Sequence, residues 1–558
     1  MTNKNEHPGL LSLKTQLSNG KISRREFLRY STLLGISAGS AYMLAGKITG
    51  NPIAMPAMAQ AMPKGGTLKI AMRVPKIDNP ATYSWIYDSN ILRQVCGYMS
   101  RTGVDNVTRP HLLEKWSPSE DLKTWTLGVR DVKWHKGKPL TAQDLAWNIA
   151  YRLKPETGSS VLGLMSYMVK EVDTGKKDDK GNPIMATELW DANAIEVVDD
   201  KTLKLNLKEA QIAVPEHLFH YPFGILDPEE GGKFGAGSNG TEAFELAEVE
   251  VGRRALLKAR NDYYGDGPYL DAIEFIDLGD NPAAVAAAIA SKQVDGIYEG
   301  NIEQLDIYKQ MPDIQVYDVV TADTCVARMQ VDHEWFKDPK VRQAVRYATD
   351  QKQVLDISHR GLGAVAEHHH VAPVLPDYAE IPMIERDLDK AKALLAEAGH
   401  ADGIDIEIYC KPDPSWEQTA VETMVSQWKD ANIRAKINVV PSAKYWEVWN
   451  TVPMGFTSWV HRPLGTMTLA LAYRANGAWN ESKFNNPEFE SLLTKAEGTL
   501  DITERKKIMA QIETLMQNEG PLCQPIWRSL FVVYDKKVKG FQMHPTRYIF
   551  GETLAIEG

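Results

Sequence analysis

The sequence predicts an α/β protein built in two or three lobes, and three observations carry that expectation. Its 558 residues exceed the usual range of a single domain. Its composition, 43% apolar and 24% charged, is that of an ordinary soluble globular chain. Along its length, segments of period-two alternation take turns with helical patterns, which is how α/β lobes read.

The first element is a targeting segment. Ser23-Arg24-Arg25-Glu26-Phe27-Leu28-Arg29 reads as a twin-arginine export motif, followed by a mildly apolar run from Tyr30 to Gly46 rich in Gly, Ser and Ala. Ala57-Met58-Ala59, or Ala59-Gln60-Ala61, offers a small-x-small cleavage site, so the mature chain is expected to begin near Gln60 or Met62. Lys47 and Pro52 cut the run short of the ~20 apolar residues of a spanning helix, and no later segment supplies them. No cysteine stands at the cleavage point to take a lipid, which implies a free periplasmic protein of a Gram-negative cell.

In the mature chain, Lys64-Gly65-Gly66-Thr67-Leu68-Lys69-Ile70-Ala71 is a glycine turn entering a strand. Thr124 to Val129 alternates as a half-buried strand, and Lys133 to Leu140 reads as a short strand running into a turn at Gly137 and Pro139. Thr141 then caps a helix, with Asp144 as the reciprocal acid and Leu145, Ile149 and Leu153 on one face. The polar stretch from Lys154 to Asp191 reads as a solvated hairpin or loop, and Val197 to Leu207 as a turn into a strand. Ala284 to Ala290 is a helix. A further helix enters after Pro339 with Val341, Ala344, Val345 and Ala348 as its apolar stripe, another runs from Asp387 to Gly399, and Ile404 to Ile408 is a strand.

Leu113-Glu114-Lys115-Trp116, Trp134-His135-Lys136-Gly137 and Thr141-Ala142-Gln143-Asp144 together resemble the signature of the family 5 extracellular solute-binding proteins of ABC importers, the peptide- and nickel-binding type. Ala259-Arg260-Asn261-Asp262-Tyr263-Tyr264-Gly265, the Val341-Arg342-Gln343-Ala344 helix and Pro525-Ile526-Trp527 extend the resemblance over nearly all of the mature chain. It implies a periplasmic binding protein type II-like fold, two lobes with a hinge and an extra domain inserted in the first lobe. On that pattern 1–61 is the signal peptide, 62–108 and 235–322 belong to lobe I, 109–234 is the extra domain, 323–523 is lobe II and 524–558 returns to lobe I. It also implies a non-enzymatic, monomeric receptor that encloses a solute by lobe closure and delivers it to an inner-membrane permease and ATPase. No cofactor is called for, and His135 reads as a turn histidine held by hydrogen bonds.

Charge excludes some partners. Without residues 1–61 the chain keeps 56 basic and 71 acidic residues, a formal charge of −15, which argues against nucleic acid. Cys96, Cys325, Cys410 and Cys523 show no CxxC spacing and leave two readings, up to two disulfides or isolated buried thiols.

Two stretches are candidate sites. His368-His369-His370 offers imidazoles to a transition metal, to a solute, or to solvent as an ordinary loop. Adjacent residues on an extended segment point to opposite faces, so at most two can meet one ion; we assign no metal and take His369 and His370 as ligand-lining. In peptide binders of the resembled family, the loop corresponding to Trp459-Val460-His461-Arg462-Pro463 supplies a carboxylate for the peptide amino terminus. Here no Asp or Glu occurs from Ala443 to Glu481 except Glu447, and Arg462 offers a forked donor instead, either to a carboxylate or phosphate of the solute or to a surface or interlobe ion pair. Trp459, His461, Arg462 and Trp479 are the expected pocket residues, with a peptide, an amino-acid-derived acid or an opine-like molecule as solute. A nickel or metal-chelate carrier, or a metal-dependent enzyme using His368 to His370, is the alternative.

Overall fold

A computed structural model describes residues 7–50, 62–177, 181, 183–279, 281–475 and 477–558. Its spine is a mixed sheet of ten strands in line, with two short strands pairing off the path. One end holds Phe244–Glu250, Arg254–Ala259, Ala272–Ile276, Thr67–Ala71 and Gly296–Ile297; the other holds Met454–Trp459, Ile404–Cys410 and Ile433–Val439. Two long strands, Ile314–Met329 and Ile526–Asp535, run antiparallel between them and belong to both lobes. Their register breaks between Val320 and Asp323. A bulge there leaves backbone groups unpaired and bends the ribbon where one lobe gives way to the other.

The extra domain is a four-stranded antiparallel sheet, Leu113–Pro118, Thr124–Val129, Thr202–Asn206 and Ile195–Asp199, covered by the helix Ala142–Arg152. Thr141 and Asp144 form the capping box read in the sequence, and Leu145, Ile149 and Leu153 are buried; such a cap contributes about 1 kcal/mol. The hairpin expected in the polar stretch is Val169–Lys177 paired with Pro183–Leu189. Lys133 to Leu140 differs from expectation: only a single bridge, Lys133 to Pro139, forms. Gly137, at φ +89°, closes a turn so tight that Trp134 and Lys138 already bond across it, leaving no length for a strand. His135 sits in that turn, held to the Glu242 carbonyl at 2.8 Å.

Lobe II packs Pro339–Tyr347, Leu388–Glu397 and Ser415–Trp428 on its sheet. Val341, Ala344, Val345 and Ala348 all enter the core, as their spacing predicts. All four cysteines are buried free thiols, so of the two readings left open the structure takes the second.

The N-terminal run behaves unlike a bare leader. Gly9–Ser18, Arg24–Leu33 and Ala38–Thr49 are helices packed on the body of the protein, Phe27, Tyr30 and Leu33 being fully buried. The expected cleavage sites at residues 57–61 lie outside the described residues. No described helix is long and apolar enough to cross a membrane.

Candidate solute-binding site between the lobes

The strand Met454–Trp459 pairs with Ile314–Met329, placing Trp459 opposite Thr324 beside the hinge bulge. The chain then leaves the sheet. Asp377 receives the Gly465 and Thr466 N–H groups at 2.9 and 3.0 Å, fixing the start of the next helix and so the length of the intervening loop. Within that loop the His461 N–H donates to Asp323 at 2.5 Å, and His461 Nδ1 accepts the Ala322 N–H at 3.1 Å. The Asn106 amide and the Thr546 hydroxyl, both from the lobe I side, reach the Pro463 and His461 carbonyls. His461 thus ties the loop to the hinge. Burial holds its imidazole neutral, with the pKa lowered to about 3.

Arg462 projects from this loop into an aromatic enclosure. Its guanidinium carbon lies 5.3 Å from the Trp459 ring, 5.6 Å from Trp479 and 5.9 Å from Tyr221. Tyr221 belongs to the extra domain and stacks on Trp479 at 5.8 Å, so the enclosure is made by both lobes. Arg462 is 4% exposed; Nη1 donates to the Val460 carbonyl at 2.9 Å, and Nε has no partner. Among the described residues no carboxylate forms an ion pair with it, and burial pulls its pKa down.

A second charged cluster lies beside it and is internally balanced. Arg547 bonds Asp323 at 2.8 Å and also Glu299, while Arg528 bonds Glu299 at 2.7 Å. Two cations face two anions. Arg528 lies over Trp416 at 4.4 Å, and Trp85 of lobe I meets Trp446 of lobe II at 5.5 Å, so the lobes are closed on one another here. The shallow concavities of the surface lie elsewhere, for example beside Asp501 and around Arg386.

The histidine run divides. His370 faces the enclosure: its ring meets Trp459 at 5.3 Å, Nδ1 pairs with the Tyr473 hydroxyl at 2.8 Å, Nε2 has no partner, and burial and the Arg462 charge push its pKa down. His369 points into a separate buried cluster, 3.5 Å from Glu367 and 3.9 Å from Glu513. His368 accepts the Gln524 N–H at 2.9 Å. The run is therefore no solvated loop; all three side chains are buried, and left-handed backbone at His368 and His370 turns them apart. His369 Nδ1 accepts the Val371 N–H at 3.3 Å, which leaves the ring proton on Nε2, the atom a metal would need. No group of three metal-ligating side chains is arranged to hold an ion among the described residues.

Trp459, His461, Arg462, Trp479 and His370 are thus brought together at the lobe junction, and His369 is not. Sequence reasoning missed Tyr221, Asp323 and Arg547. Each is remote from the loop in sequence; the one visible signal was an acid, Asp323, amid the largely uncharged run from Val319 to Val326.

Two α/β lobes hinged on a pair of long strands, meeting at a wall of rings around the unbalanced Arg462 cation, define a binding protein of the periplasmic type II fold. The chain belongs to the bacterial extracellular solute-binding proteins, family 5 Middle, whose pattern matches residues 107–481. It is a non-enzymatic substrate-binding protein of an ABC importer, acting outside the cytoplasmic membrane. A dipeptide-binding protein of Escherichia coli K12 is 25% identical over 476 residues, 80% of this chain and 86% of that one. A heme-binding protein A of Haemophilus influenzae is 24% identical over 486 residues, 80% and 84% of the two chains. Among solved structures, AgaA of A. tumefaciens R10 in complex with agropinic acid superposes with a TM-score of 0.78 at 22% identity, covering 88% of this chain and 99% of that one. AppA of Bacillus subtilis with a nonapeptide gives 0.76 at 18% identity, covering 89% and 100%.

Proposed function

We propose that the protein captures a small solute bearing a carboxylate or similar anionic group, a peptide or an amino-acid-derived, opine-like acid, and holds that group on Arg462. The observation that carries this reading is the buried Arg462 guanidinium with no carboxylate partner, beside a cluster in which Arg528 and Arg547 are matched by Glu299 and Asp323. An unpaired buried charge costs several kcal/mol, and an anionic solute is the simplest compensation. Trp459, Trp479 and Tyr221 supply rigid apolar walls for the rest of the molecule, while the free Nε2 atoms of His370 and His461 offer further hydrogen bonds.

Delivery is to a permease and ATPase complex in the inner membrane, from a monomer in the periplasm of a Gram-negative cell. Export through the twin-arginine translocase and cleavage near residues 57–61 complete the reading, supported by Arg24-Arg25 and the small residues at Ala57, Ala59 and Ala61.

Thermal unfolding with a panel of solutes tests it. Acidic amino-acid derivatives should raise the midpoint without being turned over, and their amides should not. Stabilisation by the amides or by cationic solutes alone, or turnover abolished by chelator, would reject the reading.

A further inference from the structure

The N-terminal helices do more than rest on the surface: they lie across the seam between the extra domain and lobe II and bond to both. On the extra-domain side, Arg29 Nη2 meets Glu216 at 2.5 Å, both side chains buried, and the Trp116 indole donates to the Thr32 and Leu33 carbonyls at 3.0 and 3.1 Å. Next to it, on the lobe I side, Tyr42 donates to Asp105 at 2.9 Å. On the lobe II side, Arg505 donates to the Tyr30 hydroxyl at 2.7 Å, Lys506 to Glu26 at 3.2 Å, and Gln16 to Asp501 at 2.9 Å. One apolar cluster joins all three parts: Phe27, Leu28 and Leu33 of the segment, Leu122 and Ile212 of the extra domain, and Ile502 of lobe II. Beneath it the Ile212 N–H already bonds the Glu497 carbonyl across the seam at 3.1 Å.

We propose that residues 7–50, while attached, are an intramolecular strap that holds the two lobes closed, and that release of this segment frees the hinge for solute exchange. The inference rests on the two-lobed binding reading only in that solute enters by lobe opening; it is independent of which solute binds. Opening separates Glu216 from Arg505 and Lys506, so it must tear one whole set of strap contacts, including a fully buried ion pair or the apolar cluster. Breaking a buried pair by removing one partner is strongly unfavourable, which makes the strap an all-or-none fastening rather than a fraying tail. Arg25 stays exposed while Arg29, one turn on, is buried, so the docked segment still presents part of its arginine pair to the outside.

The test uses the full chain. Spin labels on Glu188→Cys and Lys392→Cys, exposed on the extra domain and lobe II, report lobe separation by pulsed electron spin resonance; the native thiols are buried. Amide exchange over residues 24–33 reports whether the strap is docked. Without solute, the unaltered strap should give one narrow, short distance. Arg29→Glu, facing Glu216, should deprotect residues 24–33 and shift the distances longer, and adding Glu216→Arg should restore both. A released strap with unchanged lobe distance overturns the proposal. So does a strap that stays protected in Arg29→Glu, or a charge swap that restores neither readout.

Discussion

Replacing Arg462 by alanine should weaken binding of an acidic solute while leaving the empty protein at least as stable as before. The two effects have one origin. In the structure the guanidinium is 4% exposed, meets three rings and donates from Nη1 to the Val460 carbonyl, and no carboxylate pairs with it among the described residues, so its charge is desolvated without a counterion. Deleting it from the empty protein removes that cost, offset by the cavity left between Trp459, Trp479 and Tyr221. Deleting it from the complex strands the solute's anionic group in the same water-poor enclosure. Loss of one partner of a desolvated charged hydrogen bond costs about 2 to 4 kcal/mol, which is about 30- to 700-fold in affinity. Arg462→Lys keeps the charge and loses the planar fork and its ring stacking, so only part of the loss should return. Calorimetry with the acidic solute that most stabilises the protein measures the first effect, and urea unfolding of the empty protein the second. Unchanged affinity in Arg462→Ala, or full rescue by lysine, would refute the anchoring role.

Closure should alter tryptophan fluorescence through Trp459 and Trp479; if saturating solute leaves the emission of the unaltered protein and of Trp459→Phe equally unmoved, Trp459 does not line the pocket. Purified mature protein should carry no stoichiometric nickel, zinc or copper, and elemental analysis finding one ion per chain, lost on replacing His368 to His370, would contradict the histidine geometry. Arg328 is buried against Glu481 at 2.8 Å, so Arg328→Ala should cost about 3 to 5 kcal/mol in urea unfolding; a change under 1 kcal/mol would mean that the pair is not formed. His217, His369 and His461 are each held neutral by burial, their pKa values lowered from 6.5 to about 3. The unfolded chain therefore takes up protons that the folded chain refuses, so stability present at pH 7 should fall as pH drops through 6.5 toward 3, and equal urea midpoints at pH 7 and pH 5 would refute this.

Local pattern made much of the fold legible. The Thr141–Asp144 capping box, the Val341–Ala348 stripe and the alternation at Thr124 to Val129 are decided within a few residues, and each stands where the sequence puts it. The short strand at Lys133 failed because turn geometry at Gly137 outweighed alternation. The loop from Trp459 to Pro463 stood out as a candidate site because it lacks acids, a property of composition. What closes around it was not visible: Tyr221, Asp323 and Arg547 lie 241, 139 and 85 positions from Arg462, and only tertiary packing brings them together. The histidine run shows the converse. Three adjacent imidazoles suggest one site, yet two left-handed residues send them in different directions. The N-terminal segment reads as an export signal in composition, an expectation that its docked helices do not test, and no sequence pattern shows Arg29 meeting Glu216.

Native mass spectrometry of freshly purified protein, sprayed without denaturation, tests the central claim most directly. An unbalanced Arg462 predicts a co-purified small molecule that carries a carboxylate or another anionic group, departs on denaturation, and is depleted in Arg462→Ala. A bound solute that is cationic and lacks any acid, or one retained equally in Arg462→Ala, would contradict it.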